Sequence, residues 1–512
     1  MLTNILQYLE ATAARLPDKI AFSDGCDSLT FAELQKAAKS IGSRLAARGF
    51  RREPVMIMMD RHPNVLSAFF GVVYAGCFYV PVDTEMPELR LRTTFNSLAP
   101  RIIISDRSNY QKAARLGQAE VLLFDGMRGF PPDEKLLSQI RENQIDTDPI
   151  YIVFTSGSTG VPKGVAACHR SVIDYTESFC EALGLSEDCV FGNQTPLHFD
   201  APLKEIMTTI KYGATTYLIP KKLFLFPVPL VEHLNEHKIN TICWVVSALC
   251  TISALGALDI ARPRYLKKIA FGSEVFPVKQ FNIWRDALPD AEFYNLYGPT
   301  ECTGMSCWYK VEGRVPEGGT IPIGRPFRNT RIMLIDENGK EAAPGEPGEI
   351  YIAGTCVTLG YYNNPGKTDE AFVQNPLNRS YREIVYKTGD IARLNERGEL
   401  VFISRRDSQI KHMGHRIELG EIEAAADSHE RVARSCCLYD SENKKIVMYY
   451  TGEAGQGELL AYLKDYLPRY MLPAVIKKLD SLPLTPNGKL DRQALKKLYK
   501  DSENEGTHKN LK

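Results

Sequence analysis

Short apolar runs alternate with helical patterns along much of this chain. Apolar positions recur at helical spacing from Phe31 to Arg48, and Gly49 closes that segment. Strand-like apolar runs recur between such helices, beginning at Pro54, Arg101, Glu120, Thr216, Asn240 and Lys268. Alternation of this kind predicts an α/β fold with largely parallel sheets.

The segment from Pro63 to Val82 contains no charged residue and is long enough to suggest a membrane span. Gly71, Gly76 and Pro81 interrupt it, and a charged residue follows at once. We therefore predict a helix, a glycine turn and a buried strand, with no membrane insertion.

The pattern changes near Pro322. Alternating runs at 331–335 and 348–354 predict hairpin β structure, because a turn-forming Asp-Glu-Asn-Gly segment lies between them. Helical spacing returns at 416–429 and 457–467. The residues from Asp501 onward are polar, and we expect a disordered tail there.

Length and composition narrow the class of protein. A chain of 512 residues exceeds what one hydrophobic core supports, so at least two domains are expected. Basic and acidic residues number 62 each, which gives no clustered basic excess and argues against a nucleic-acid partner. The twelve cysteines form no Cys-x-x-Cys pair, and Glu10 interrupts the region where a signal peptide would be apolar, so a cytoplasmic enzyme is predicted.

The most informative segment is a loop that follows an apolar strand beginning at Tyr151. Glycines let main-chain N–H groups approach an anion, hydroxyls add donors, and a lysine adds positive charge, which together suit a polyphosphate. A polar surface loop is the alternative, and the missing Gly-Lys-Ser/Thr ending disfavours an ordinary P-loop NTPase. The candidate phosphate-binding residues are Thr155, Ser156, Gly157, Ser158, Thr159, Gly160 and Lys163.

Three further segments carry groups that suit a nucleotide. Glu301 follows a predicted strand end, where α/β sheets bind ligands, and could hold Mg²⁺ beside phosphates, while Tyr297 could stack on a base. Asp390 could accept both hydroxyls of a ribose, and Lys489 follows a tight turn. Taken singly, each of the last two residues is better explained as a turn cap or a hairpin tip. Their joint presence in this order favours function.

These motifs, in this order, resemble the adenylate-forming (ANL) superfamily. The likeness is strongest to amino-acid adenylation domains of nonribosomal peptide synthetases and to D-alanine–carrier protein ligase. It extends from Leu29 to Arg492 and includes matching segments at 29–34, 74–83, 348–361 and 407–418.

The resemblance implies a fold and a domain organisation. An N-terminal core domain, 1–404, would contain layered α/β subdomains and a β-barrel-like subdomain. A small, mobile α+β C-terminal domain, 405–500, would carry the catalytic lysine, and a polar tail, 501–512, would follow. Asp407 matches the hinge about which the small domain rotates between half-reactions, and Gly414 matches the loop that lines the thiol tunnel.

The resemblance also implies residue roles. The loop from Thr155 to Lys163 would hold the β- and γ-phosphates, with Thr155 and Glu301 contributing to catalysis and Glu301 binding Mg²⁺. Asp390 and Arg405 would bind the ribose, and Lys489 would bind the substrate carboxylate and the bridging oxygen. The remaining ATP-binding positions are Asn295, Tyr297, Gly298 and Thr300.

A substrate pocket follows from the same motifs. Asp200 matches the residue that binds the α-amino group of amino-acid substrates, although an aspartate before Pro202 could instead cap a helix. Lys204, if it points inward, would favour an acidic or strongly polar substrate side chain, whereas a solvated lysine on a surface helix is the alternative. Further pocket positions are Ala201, Cys243, Ala270, Gly272, Leu296, Gly304 and Met305.

We therefore expect a free-standing enzyme that uses Mg²⁺ and ATP to make an aminoacyl-AMP. It would transfer the acyl group to the phosphopantetheine thiol of a carrier protein in trans, because no carrier region fits after Arg492. An acyl-CoA or aryl-CoA synthetase of the same fold is the first rival. A non-catalytic nucleotide-binding protein that kept the fold is the second.

Overall fold

The computed structural model describes residues 2–157, 161–483 and 490–509. In chain order, the first helices are α1 (Leu6–Arg15), α2 (Phe31–Ala46), α3 (Asn64–Tyr74), α4 (Glu88–Leu98), α5 (Tyr110–Ala114), α6 (Phe124–Arg128), α7 (Glu134–Glu142), α8 (His169–Leu183) and α9 (Leu203–Tyr212). They are followed by α10 (Pro227–Glu236), α11 (Val246–Ala254), α12 (Ala257–Ile260), α13 (Val278–Ala287), α14 (Pro365–Ala371), α15 (Leu419–Asp427), α16 (Gln456–Tyr466) and α17 (Arg492–Lys509).

The strands up to the middle of the chain are β1 (Ile20–Ser23), β2 (Ser28–Thr30), β3 (Pro54–Met58), β4 (Phe78–Pro81), β5 (Ile102–Ser105), β6 (Glu120–Leu123), β7 (Pro149–Thr155), β8 (Lys163–Cys168), β9 (Val190–Asn193), β10 (Thr215–Leu218), β11 (Thr241–Val245), β12 (Lys268–Gly272) and β13 (Glu292–Tyr297). The later strands are β14 (Cys307–Lys310), β15 (Arg325–Pro326), β16 (Thr330–Ile335), β17 (Gly348–Gly354), β18 (Phe372–Gln374), β19 (Ile384–Leu394), β20 (Leu400–Arg405), β21 (Gln409–His412), β22 (His415–Glu418), β23 (Val432–Asp440), β24 (Lys445–Gly452) and β25 (Val475–Lys478).

The chain divides into two compact units, a large one that is mainly N-terminal and a smaller one that is mainly C-terminal. The first unit comprises Met1–Thr84, Ser97–Phe154 and Gly164–Arg406. The second comprises Glu85–Asn96, Thr155–Lys163 and Asp407–Lys512. The predicted fold class, mixed α/β with a large N-terminal and a smaller C-terminal domain, is confirmed.

Two large sheets form the α/β part of the first unit. One has nine strands in the order β15-β14-β13-β12-β11-β9-β10-β1-β2, parallel from β1 to β13 and antiparallel at both ends. The other has six strands in the order β6-β5-β3-β4-β7-β8, with parallel pairing among β6, β5, β3, β4 and β7. Parallel strands need crossover helices, which is why the sequence alternates as it does.

A third sheet of the first unit is antiparallel. It has the order β16-β17-β19-β18, with β20 paired to β19, and it contains the hairpin segments expected at 331–335 and 348–354. The β19–β20 register sets Asp390 directly opposite Arg405. Two candidate ribose-binding residues therefore lie side by side because of strand pairing.

The second unit contains a hairpin, a three-stranded sheet and three helices near the C-terminus. Strands β21 and β22 are joined by Met413 and Gly414, whose φ angles of 52° and 79° suit a tight two-residue hairpin turn. The predicted helix from Arg416 is wrong at its start, because Arg416 belongs to β22 and α15 begins at Leu419. Helix α17 continues to Lys509, past Asp501, so the expected disordered tail is also wrong up to that residue.

Helices α2 and α3 of the first unit pack in close contact. Gly42 and Gly71 make this approach possible, since a methyl group at position 71 would lie 2.6 Å from Cβ of Ile41. The uncharged stretch from Pro63 thus forms a helix, a Gly76 turn and a buried strand, as predicted. Within the described parts of the chain, no helix has both the length and the apolar character that crossing a membrane would require.

The close α2–α3 contact predicts a stability effect. We expect Gly71→Ala to lower the free energy of unfolding of the first unit by about 1–3 kcal/mol, because the added methyl group overpacks the interface. Gly126→Ala is the matched control: it also lies in a helix, nothing approaches its would-be Cβ within 4 Å, and it should leave stability unchanged or slightly raised. Thermal and urea unfolding measure both, and equal midpoints for the two variants would contradict the prediction.

Candidate active site

The glycine- and hydroxyl-rich loop lies in the second unit, where its first residues make specific contacts. The Thr155 hydroxyl donates to the carbonyl of Lys163 at 3.5 Å, and the buried Ser156 hydroxyl donates to the carbonyl of Arg416 at 2.8 Å. Gly157 has no room for a side chain, since a Cβ there would lie 2.1 Å from the carbonyl oxygen of Val161. The predicted residues Ser158, Thr159 and Gly160 lie outside the described residues.

An ion pair that the sequence patterns did not predict lies in the same unit. Arg90 of α4 donates to Glu421 of α15, and both side chains are buried. Burial raises the pKa of Glu421, while Arg90 and the N–H of Gly157 oppose that rise. No motif reveals this pair, because its two residues are far apart in the sequence.

A hydrogen-bonded triad in the first unit joins three predicted ATP-binding residues. Arg405 donates to one carboxylate oxygen of Asp390 at 2.5 Å, and the Tyr297 hydroxyl donates to the other at 2.6 Å. Arg405 also donates to the carbonyl of Thr388 at 3.2 Å. Burial and the Asp390 charge raise the pKa of Tyr297 well above its usual value, so the phenol stays protonated as a donor. The carboxylate is thus held in a fixed orientation in a buried site, with charge-assisted hydrogen bonds.

Glu301 is fully buried in a 3₁₀ turn, Thr300–Cys302, that follows β13. The Tyr361 hydroxyl donates to its Oε1 at 2.7 Å, and the backbone N–H and hydroxyl of Thr358 both donate to its carbonyl. A single carboxylate with an oriented oxygen fits Mg²⁺, which takes one or two carboxylates and completes its shell with water and phosphate oxygens. The chemistry of Glu301 therefore fits its predicted role as a Mg²⁺ ligand.

Two further predicted ATP-binding positions, Asn295 and Gly298, lie at the end of β13 and just after it. Asn295 donates its side-chain amide to the carbonyl of Pro322 at 2.8 Å. Gly298 lies where a Cβ would approach Cα of Met305 to 2.4 Å, so only glycine fits the chain path there.

A small cavity in the first unit gathers most of the predicted substrate pocket. Seven of its twelve lining residues were predicted: Ala201, Lys204, Cys243, Ala270, Gly272, Leu296 and Met305. The predicted Gly304 borders Asp200, since a Cβ at Gly304 would lie 3.8 Å from the Asp200 carboxylate. Five lining residues were missed: Thr195, Trp244, Val245, Phe271 and Ser273. Three of these, Trp244, Phe271 and Ser273, directly flank predicted positions, and Val245 lies two residues after Cys243, so an allowance of two residues would have found all four.

Asp200 is not a helix cap. Helix α9 begins at Leu203, the capping position is Pro202, and the Asp200 side chain bonds instead to Thr300. Burial raises the pKa of its carboxyl, opposed by the Thr300 hydrogen bond and the Lys204 charge. The capping interpretation of Asp200 is therefore wrong, and so is the solvated-lysine interpretation of Lys204, which is only 5% exposed.

The remaining predicted residues belong to the second unit. The Asp407 carboxylate accepts the N–H of Gln409 at 3.2 Å, in the residues where the second unit resumes. Gly414 lies at the tip of the β21–β22 hairpin. Lys489 lies outside the described residues.

Comparison with known proteins identifies the class. The AMP-binding enzyme family matches residues 9–362, and the AMP-binding enzyme C-terminal domain matches residues 421–489. Because these matches cover most of the chain, it belongs to the AMP-binding enzyme family, the adenylate-forming class that the motifs predicted.

Three similar proteins differ in how much of their own length this chain covers. It is 29% identical to tyrocidine synthase 1 of Brevibacillus parabrevis over 96% of this chain, but it spans only 45% of that protein. It is 30% identical to the L-proline–[L-prolyl-carrier protein] ligase of Streptomyces coelicolor, over 96% of both chains. The solved structure of holo-PA1221, an NRPS protein containing adenylation and PCP domains, superposes with a TM-score of 0.82 at 25% identity, covering 96% of this chain and 84% of that one.

The triad around Asp390 predicts an effect on nucleotide binding. We expect Asp390→Asn to raise the KM for ATP about 10- to 100-fold, because a charged acceptor is lost from a buried site. Asp336→Asn is the control, since that carboxylate is exposed and accepts only N–H groups of its own turn. Steady-state kinetics and calorimetric ATP binding measure the effect, and an unchanged KM in a folded Asp390→Asn variant would contradict it.

Proposed function

We propose that the protein is an amino acid–carrier protein ligase. It activates an amino acid with ATP to an aminoacyl-AMP, and it transfers the acyl group to the phosphopantetheine thiol of a carrier protein in trans. The observation that carries this proposal is the Asp200 carboxyl, which lies beside the predicted pocket residue Gly304. Burial penalises its charge, and a substrate ammonium would offset that penalty.

The first half-reaction joins two anions, so the protein must bind and orient both. A carboxylate oxygen of the amino acid attacks the α-phosphorus of ATP, and the bond from that phosphorus to the bridging oxygen breaks as pyrophosphate leaves. Asp390, oriented by Arg405 and Tyr297, would bind the ribose hydroxyls. Lys489 would stabilise the negative charge that develops on the bridging oxygen. Mg²⁺ held at Glu301 would supply charge neutralisation at the phosphates.

The second half-reaction transfers the acyl group. The carrier thiol attacks the acyl carbon, a thioester bond forms, the acyl–phosphate bond breaks, and AMP leaves with the electron pair. Support for a carrier partner comes from the proline–carrier protein ligase, because this chain and that ligase match over 96% of each. The structural likeness to a protein with adenylation and PCP domains supports the same partner.

An acyl-CoA or aryl-CoA synthetase is the alternative function within this fold. Fatty and aryl acids carry no ammonium group, so Asp200 would remain a buried carboxyl without a counter-ion on such a substrate. Leaving it so would cost binding energy. We therefore favour an amino acid.

Asp200 gives the direct test. We expect wild-type protein to catalyse ATP–pyrophosphate exchange with amino acids, and Asp200→Asn to lower kcat/KM for the preferred one about 10- to 150-fold, because a charge-assisted contact is lost. Asp174→Asn is the matched control, another carboxyl whose pKa burial raises but which bonds to Asn329 instead. Exchange with fatty or aryl acids alone would refute the amino-acid proposal.

Lys489 gives a second test that separates the two half-reactions. We expect Lys489→Ala to lower the rate of pyrophosphate exchange about 10²- to 10³-fold, the usual cost of removing one group that stabilises transition-state charge. Thioester formation from chemically prepared aminoacyl-AMP and a phosphopantetheinylated carrier should persist. Lys497→Ala, an exposed lysine of α17, is the control. Undiminished exchange in the Lys489 variant would remove that lysine from the first half-reaction.

A further inference from the structure

One lysine is buried at the cavity of the first unit. Lys204 is the second residue of α9, it lines the cavity, and only 5% of it is exposed. Lysine is almost never buried to this extent unless its charge is paired, because moving an ammonium group out of water costs free energy. The burial of Lys204 therefore needs an explanation.

No protein group provides that explanation. Among the described residues, no side-chain hydrogen bond is formed by the Lys204 ammonium, and no carboxylate lies within ion-pair distance of it. The hydrogen bonds of Lys204 involve its backbone alone: its N–H donates to the carbonyl of Ala201, and its carbonyl accepts from the Thr208 hydroxyl.

The Lys204 charge opposes the rise in the pKa of two nearby acidic side chains, but neither side chain forms an ion pair with Lys204. Asp200 bonds to Thr300 and is the group proposed to receive the α-ammonium. Burial raises the pKa of Glu205 to about 7, so that carboxyl is largely protonated below neutral pH. Lys204 and the buried thiol of Cys243 line the same cavity, and the Lys204 charge opposes the burial that raises the pKa of that thiol.

The rest of the cavity lining carries no charge. The other eleven residues are Thr195, Ala201, Cys243, Trp244, Val245, Ala270, Phe271, Gly272, Ser273, Leu296 and Met305. An anionic group that entered this cavity would find one cation and no competing carboxylate in its lining. A neutral group would leave the cation desolvated and unpaired.

Asp200 precedes α9, and Lys204 is the second residue of that helix. The Lys204 charge opposes the burial that raises the pKa of the Asp200 carboxyl, so the two groups act on each other. A substrate that carries both an α-ammonium and a side-chain carboxylate would supply each of these two protein groups with a counter-ion.

We propose that the substrate is an α-amino acid with a carboxylate side chain, and that Lys204 is the residue that selects it. This inference rests on the proposed amino-acid adenylation and deepens it by naming the substrate class. Lys204 contacts the side chain of the substrate, so it determines specificity, while activation proceeds at the α-carboxylate.

The test is pyrophosphate exchange with aspartate and glutamate, in both stereoisomers, against asparagine, glutamine, alanine and leucine. We expect wild-type protein to prefer an acidic substrate over its own amide by about 10- to 150-fold in kcat/KM, as expected for a charged hydrogen bond. Lys204→Met, close in length but uncharged, should lose that preference, so that the ratio of kcat/KM for the acid to kcat/KM for its amide falls towards one. Lys211→Met is the matched control, the other lysine of α9, which pairs with Glu177.

Each outcome decides one question. A wild-type preference for neutral amino acids would overturn the inference and leave the proposed function standing. Exchange with fatty or aryl acids alone would refute the proposed function. An acidic preference that survives in Lys204→Met would show that another group selects the substrate. If that variant does not fold, the wild-type comparison of acid with amide still decides the substrate class, and Lys204→Glu, tested with lysine and ornithine, replaces it.

Discussion

The parallel pairing of β11, β12 and β13 is the constraint on which the candidate pocket depends. Their register sets Cys243 beside Ala270, and Val245 beside Gly272, which in turn lies beside Leu296. Because parallel strands end at the same edge of a sheet, residues from three separate parts of the sequence meet there. The pocket is thus a consequence of hydrogen-bonded strand register, with side-chain size deciding how much space remains.

Three carboxylates, of Asp390, Glu301 and Asp200, contact or belong to residues at or just after the end of β13, and each has its own hydrogen-bond partners. Asp390 is held by a guanidinium and a phenol, and Glu301 accepts from a phenol. Asp200 bonds to Thr300. A buried carboxylate without such partners would protonate or destabilise the fold, whereas an oriented one can present a defined oxygen to a ligand. Lys204 stands apart from these residues, as a buried cation whose counter-ion the described part of the protein does not supply.

Much of the architecture could be predicted because it depends on local periodicity. The sequence correctly predicts helix, turn and strand for the uncharged stretch from Pro63, since glycine positions and length distinguish this arrangement from a membrane span. It predicts too early a start for α15, because Arg416 and its neighbours fit helical spacing, yet they pair with β21 in a hairpin. Strand pairing is non-local, and no single segment records it.

The sequence by itself determined which chemical groups are present and in what order, and hence the class of enzyme, because glycines, hydroxyls, lysines and carboxylates at fixed spacing imply a particular ligand. Only the tertiary structure decided where Lys204 points, since a lysine on an amphipathic helix is compatible with either face until the helix is packed. It also decided that Asp200 bonds to Thr300 rather than capping α9, and that Arg90 pairs with Glu421. The reason is the same in each case: local pattern fixes residue type and element, whereas burial and long-range partners arise only when distant segments meet.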